Sequence, residues 1–193
     1  LNSIQWMARM SHQDNITEFV QRLKKLLSYN LGKEGMQTTL RTEIDIVKEY
    51  IALQQMRYDF VIEMNVEEGS YLEQPTVRML LQPLVENAII HGLSKKEEGG
   101  TVRVHIWQKD GFTFITIGDN GLGMDEAALM HLRGELEKED GKTGIGLGNI
   151  SRRIGMLYPG GKMQVYSRAG HGTVVRFELP QTQQPEEKEE TLS

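Results

Sequence analysis

A chain of 193 residues is long enough for one good core and an appendage. With 38% hydrophobic and 25% charged residues, and no apolar run near the roughly 18 residues that span a bilayer, the sequence excludes a transmembrane helix. Its lack of cysteine excludes disulfides, thiolate metal sites and a cysteine nucleophile, and its net charge of −5 argues against nucleic acid as the main partner. The missing cysteines fit a reducing compartment, no signal-peptide pattern opens the chain, and Leu1 in place of a Met suggests a fragment.

Leu1–Met10 and Asp14–Leu31 both show helical spacing: Ile4, Met7 and Ala8, then Ile16, Phe19, Val20, Leu23, Leu26 and Leu27. Ser11–Asn15 is the turn between them, with Asp14 or Asn15 as N-cap. Two amphipathic helices too small for a domain either join a helical bundle with a second copy or lie on the rest of the chain. Gly32–Gly35 breaks the pattern. A third helix is expected at about Leu40–Tyr58, with Ile44, Val47, Ile51 and Leu53 apolar and Glu43–Asp45 near its N-terminus, where the dipole favours acids. Phe60–Val66 alternates as a strand with one buried face, and Glu67–Gly69 turns the chain.

Pro75 is placed to start the next helix, whose centre is LLQPLVENAIIHG, Leu80–Gly92. In helical register Val77, Leu81, Leu84, Val85 and Ala88 form an apolar stripe, while Pro83, Asn87 and His91 follow at four-residue spacing beside Glu86. Asparagine is a poor helix-interior residue because its amide competes for backbone groups. Asn87, between a carboxylate and an imidazole, therefore marks either a solvent-facing surface or a ligand.

Ser94–Gly100 is a loop, and Thr101–Gln108 with Phe112–Gly118 forms a hairpin turned by Asp110-Gly111. Phe112, Phe114 and Ile117 do not keep phase, which suggests that this second strand is buried on both faces. Asp125–Lys142 is a charged, mobile stretch with a turn or two of helix about Ala127–Leu132. Thr143–Asn149, TGIGLGN, leads into a helix at Ile150–Tyr158, and Lys162–Arg168 with Thr173–Leu179 closes the fold as a strand pair. Gln181–Ser193 is an acidic, disordered tail. No internal repeat is visible, and the order predicts a two-layer α/β sandwich, helices covering a mixed, mostly antiparallel sheet.

Three clusters exceed what folding needs: Asn87 with its neighbours, Asp119-Asn120-Gly121-Leu122-Gly123 after an apolar strand, and Gly144-Ile145-Gly146-Leu147-Gly148 before a helix. A carboxylate at a sheet end can accept from an exocyclic amine, and backbone N–H groups at a helix start can meet a phosphate. Two decoys fall away. Asn149 stands where a dinucleotide fingerprint wants glycine, and Leu136 stands where the P-loop suggested by Gly141-Lys142-Thr143 would have its first glycine.

The ordered set Asn87, Asp119, Gly144–Gly148 and Thr173 resembles the Bergerat-fold ATP-binding domain shared by sensor histidine kinases, Hsp90 chaperones, type II topoisomerases and MutL proteins. More narrowly, LLQPLVENAIIHG is similar to the N box of sensor histidine kinases of the LytS/YesM type. LSYNLG (Leu27–Gly32) and YIALQQMRYDF (Tyr50–Phe60) are similar to that group as well, and the resemblance runs from Leu1 to about Pro180. It implies that Asn87 ligates Mg²⁺, that Asp119 accepts from the adenine amine, and that Gly121 and Gly123 let the backbone pass under the base. It further implies that Gly144, Gly146, Leu147 and Gly148 border the triphosphate of ATP, that Thr173 supports the adenine-binding acid, and that Asp125–Lys142 is a lid.

There are departures. Pro83 stands where ATP-hydrolysing relatives carry a glutamate base, Glu86 points about 100° around the helix from Asn87, and Ile90 replaces a frequent phosphate-binding lysine. Lys142, Arg152 or Arg153 would have to compensate, or else these are surface charges. His91 is assigned to the site, His105 to a strand surface, His131 to the lid and His171 to a turn. His12 is a phosphoacceptor candidate only by position, because the segment like NPHFLFN that carries the acceptor in this group is absent from the sequence.

The resemblance implies a protein-histidine kinase region. Residues 1–35 would be a remnant of dimerisation and phosphoacceptor helices, 36–180 the ATP-binding catalytic domain and 181–193 the tail. A γ-phosphoryl group would pass to a histidine and on to a response-regulator aspartate. The whole protein would dimerise through its N-terminal helices, with this region on the cytoplasmic side of a membrane sensor. The alternatives are a nucleotide-gated interaction module without catalysis and a serine kinase of the anti-sigma-factor type.

Overall fold

A computed structural model of the chain describes residues 14–32, 37–93, 99–136 and 147–181. The expected helix at Leu1–Met10 and the tail beyond Gln181 lie outside them. Helix α1 (Asp14–Asn30) is followed by strand β1 (Gln37–Thr39) and helix α2 (Leu40–Gln55). The Thr39 hydroxyl caps α2 by accepting the Thr42 N–H at 3.2 Å, which fixes the helix start that the sequence predicts. β2 (Val61–Val66), a short 3₁₀ turn (Ser70–Glu73), β3 (Pro75–Val77) and α3 (Gln82–Asn87) come next. β4 (Thr101–Lys109), β5 (Phe112–Asp119), α4 (Glu126–Leu136), α5 (Leu147–Leu157), β6 (Lys162–Arg168) and β7 (Gly172–Pro180) complete the described elements.

Five strands form one sheet in the order β2-β4-β5-β7-β6, with β2 parallel to β4 and every other pair antiparallel. Asp110 and Gly111 turn the β4–β5 hairpin with φ of 50° and 79°, the left-handed pair that a tight two-residue turn requires. The inner face carries Val102, Val104 and Ile106, then Thr113, Ile115 and Ile117, then Val175, Phe177 and Leu179, all buried. Against it pack Ile44, Val47 and Ile51 of α2, Leu84 and Val85 of α3, and Ile150 and Ile154 of α5. The two-layer α/β sandwich is therefore as expected.

Several local expectations are corrected. β5 keeps strict phase, with Thr113, Ile115 and Ile117 inward. Phe114 pairs across the strands with Trp107 and stacks on it at 5.1 Å, and Phe112 leans on Phe114, so the aromatics that disturbed the pattern cover the outer face. Pro75 starts no helix. It is the first residue of β3, which pairs antiparallel with β1 in a small second sheet, a position where a missing N–H is tolerated. The helix predicted over Leu80–Gly92 is α-helical only to Asn87 and continues as a π-helical turn, Ala88–Leu93. α5 begins at Leu147, three residues before the expected Ile150, and α2 stops at Gln55.

One face of α1 lies on α2. Val20, Leu26 and Tyr29 are buried, and Lys25 reaches Glu49 at 2.8 Å with Arg22 on the same carboxylate. Ile16, Phe19, Leu27 and Leu31 on α1 and its end remain exposed.

Candidate functional site

The C-terminal end of β5, the π-helical turn, the start of β7, α4 and the start of α5 enclose a cavity of about 920 Å³. Asp119, the last residue of β5, forms part of its floor. Its Oδ1 accepts the Gly121 N–H at 2.8 Å, which fixes the plane of the carboxylate. Gly92 crowds the carboxylate and two further glycines crowd the backbone around it. A Cβ on Gly92 would stand 2.5 Å from Asp119 Cγ, one on Gly121 would stand 1.8 Å from the Gly92 carbonyl oxygen, and one on Gly172 would stand 1.9 Å from the Asp119 backbone carbonyl oxygen. Gly123, at φ 62°, leaves no more room, since its Cβ would lie 2.0 Å from the Arg168 oxygen. Backbone bonds close the nest: Leu122 N–H to Gly92 O at 3.2 Å and Gly170 N–H to Leu122 O at 2.6 Å.

The π-helical turn makes this approach possible. Widening after Asn87 carries the backbone of Gly92 down onto Asp119 and Gly121, and such single wide turns are frequent at functional sites. Asn87, half-buried, and exposed His91 both line the cavity from this element, as do Pro83 and Glu86. Glu86 thus reaches the cavity despite the angle that separates it from Asn87. On the opposite side Thr173 lines the cavity from β7. Ser167 Oγ accepts the Met124 N–H at 2.8 Å, bonds the Gly172 carbonyl at 2.9 Å and lies 2.9 Å from Thr173 Oγ1. If the Ser167 proton goes to that carbonyl, Thr173 donates to Ser167 and keeps acceptor capacity toward the cavity.

Leu147 and Gly148, at the start of α5, line the cavity, whereas Gly144, Gly146 and Lys142 lie outside the described residues. Gly121 acts from beneath, through Asp119 and Gly92. Arg153, offered as a phosphate contact, instead donates to the Arg78 carbonyl. No Lys or Arg is among the described residues that line the cavity; its groups able to carry positive charge are His91 and His131. His131 belongs to a set that the motifs do not single out: His131, Leu132, Glu135 and Leu136 of α4 all face the cavity, at spacings that put them on one side of a helix. That spacing is a usable signal. Ser167 and Gly172 carry none, because their importance comes from neighbours distant in sequence.

A family model described as histidine kinase-, DNA gyrase B-, and HSP90-like ATPase matches residues 73–183, and one described as histidine kinase matches residues 1–61. An uncharacterized sensor-like histidine kinase of Staphylococcus epidermidis is 28% identical over 183 residues, covering 93% of this chain and 35% of that protein. Sensor protein kinase HptS of Staphylococcus aureus is 27% identical with the same coverage. The chain thus spans about a third of the length of these relatives. Among solved structures, the catalytic domain of histidine kinase ThkA has a TM-score of 0.54 at 18% identity, covering 75% of this chain and 93% of that one. The histidine kinase domain of the Erythrobacter litoralis EL346 blue-light activated histidine kinase has a TM-score of 0.53 at 17% identity, covering 92% and 81%. Both are similar in fold.

Proposed function

Because this chain belongs to the family of histidine kinase-, DNA gyrase B- and HSP90-like ATPases, as the catalytic region of a sensor histidine kinase, we propose that its cavity binds ATP and presents the γ-phosphoryl group to a histidine. The observation that carries this reading is the Asp119 carboxylate, held in one orientation by Gly121 and crowded by Gly92 at the floor of the cavity, with Gly172 against its backbone carbonyl. Adenine offers that carboxylate an amine donor and offers its flat faces to Ile117, Met124, Leu132 and Val175, which line the same space. Thr173 and Ser167 brace the neighbouring strand, and Gly123 keeps the backbone low enough to admit the base.

The triphosphate is assigned to the start of α5, where Leu147 and Gly148 precede the helix body and Gly144 and Gly146 would extend the border. Asn87 is assigned to the metal side. Its amide oxygen is a hard donor, and among the described residues no group of three His, Asp or Glu side chains could hold an ion. One protein oxygen, with phosphates and waters completing the shell, suits Mg²⁺, so the residues present fit it. When bound, the ion would neutralise phosphate charge. Pro83 lines the cavity where a base for water would stand, so the acceptor in this reading is a histidine side chain and not water.

For the whole protein we assign 1–35 to the helices that pair two copies, 36–180 to the catalytic domain and 181–193 to a tail. The phosphoryl group then passes to a response-regulator aspartate. Among the described residues no helix is long and apolar enough to cross a membrane; the reading places this region on the cytoplasmic side of a membrane sensor.

Asp119→Asn tests the assignment. It sets an amide donor against the adenine amine, and an unmatched buried polar group costs about 1–3 kcal/mol, or roughly 5- to 150-fold in affinity. Calorimetry should find ATP binding weakened by that factor with the melting temperature retained. Unchanged ATP affinity would remove Asp119 from the site.

A further inference from the structure

Glu43, in the first turn of α2, is 1% exposed and is not among the residues that line the cavity. Its Oε1 accepts the Met79 N–H at 2.7 Å, and its Oε2 accepts the Leu80 and Leu81 N–H groups at 2.7 and 3.0 Å. The fourth donor is the Tyr29 hydroxyl, from the last turn of α1. Three amides and a phenol fill the four lone-pair positions an ionised carboxylate offers. The segment they hold is the turn that leads directly into α3. Met79 sits there at φ 56°, a left-handed conformation that a residue with a side chain keeps only when its surroundings impose it.

The turn is grasped from other sides too. Arg78 donates to the Tyr29 carbonyl at 2.7 Å and lies over the Tyr29 ring at 4.4 Å, while Arg153 of α5 donates to the Arg78 carbonyl. Burying a carboxylate costs stability that an apolar residue of similar size would not, so its return is the unique placement of the backbone it holds. That backbone runs straight on to Asn87, six residues after Leu81 and roughly 9 Å along the helix at 1.5 Å per residue.

We propose that Tyr29 and Glu43 are positioning residues for the nucleotide site: together they set the turn at 78–81 and, through α3, the place of Asn87, so that binding of metal-loaded nucleotide depends on how α1 is seated. The inference rests on Asn87 as the metal-side ligand. Tyr29 is buried at the end of a helix whose other face, at Ile16, Phe19 and Leu27, is exposed, so a shift of α1, which also carries the buried Val20 and Leu26, would withdraw one of the four donors. Coupling of this kind is reciprocal.

Tyr29→Phe in the 193-residue chain is the test, because it deletes one hydroxyl and keeps the ring against Arg78. Affinities for ATP are measured by calorimetry with Mg²⁺ and with EDTA, in the wild-type and Asn87→Ala backgrounds. Binding of Mg·ATP should weaken about fivefold, metal-free ATP should change by less than about twofold, and the effect should vanish in Asn87→Ala. Glu43→Gln, where circular dichroism shows it folded, should produce the same metal-selective loss on a larger scale. A lower melting temperature with an unchanged ratio of the two affinities would mean that Tyr29 only stabilises the fold, and the inference would fall. If Asn87→Ala itself leaves the metal preference intact, the assignment of Asn87 fails and takes the inference with it. If Asn87→Ala responds and Tyr29→Phe does not, the inference alone fails.

Discussion

The carboxylate of Asp119 owes its position to the glycines around it, and the contacts rank them. Gly172 has φ 87° and would drive a Cβ to 1.9 Å from the Asp119 backbone carbonyl oxygen, whereas Gly170, two residues earlier at φ 75°, has nothing within 4 Å of that point. The pair separates backbone strain from crowding. Alanine at Gly170 should cost about 1 kcal/mol for the left-handed conformation alone and leave nucleotide binding unchanged. Alanine at Gly172 should cost about 1–3 kcal/mol more, because backbone must shift, and it should weaken ATP binding by displacing Asp119. Urea midpoints and calorimetry of the two variants check this; equal losses in both would sink the crowding account.

Among the elements, α4 lines the cavity with His131, Leu132, Glu135 and Leu136 while Leu129 packs against the core. None of its residues is buried, Asp125 caps it by accepting the Ala128 N–H at 2.8 Å, and Arg133 ties it to the Val165 carbonyl at 2.6 Å. His131 on this helix and His91 across the cavity are its described cationic candidates. His131→Gln should therefore weaken ATP by about 1.4- to fivefold while leaving adenosine affinity unchanged, since a surface charge contact is worth about 0.2–1 kcal/mol. Loss of adenosine binding to the same degree would mean that His131 only packs. The elements differ in how far they can be read in advance. The β4–β5 hairpin is legible because Asp110-Gly111 states its own turn. β1 and β3 are not, because three residues show no alternation and their pairing joins positions about forty apart. The change from α to π winding after Asn87 is equally silent, since apolar spacing at Leu84, Val85, Ala88 and Ile89 suits both. Asn87, Asp119 and Thr173 are legible as a set, while Ser167, Gly172 and Glu43 acquire meaning only from partners folded against them.

At the scale of the whole molecule, a cavity for the nucleotide is not yet a place for the transfer. A phosphoryl acceptor must come within about 3–3.5 Å of the γ-phosphorus and in line with the leaving oxygen. His91 and His131 line the cavity, but their places by the proposed triphosphate suit charge contact, and His105 and His171 belong to strand β4 and the β6–β7 turn. His12 lies outside the described residues. The 193-residue chain should accordingly bind Mg·ATP yet place no acid-labile phosphate on His91, His105, His131 or His171. Incubation with γ-labelled ATP followed by acid treatment is the measurement. Acid-labile label that is lost when one of these four histidines is changed to Gln would place the acceptor beside or within the described cavity and overturn this.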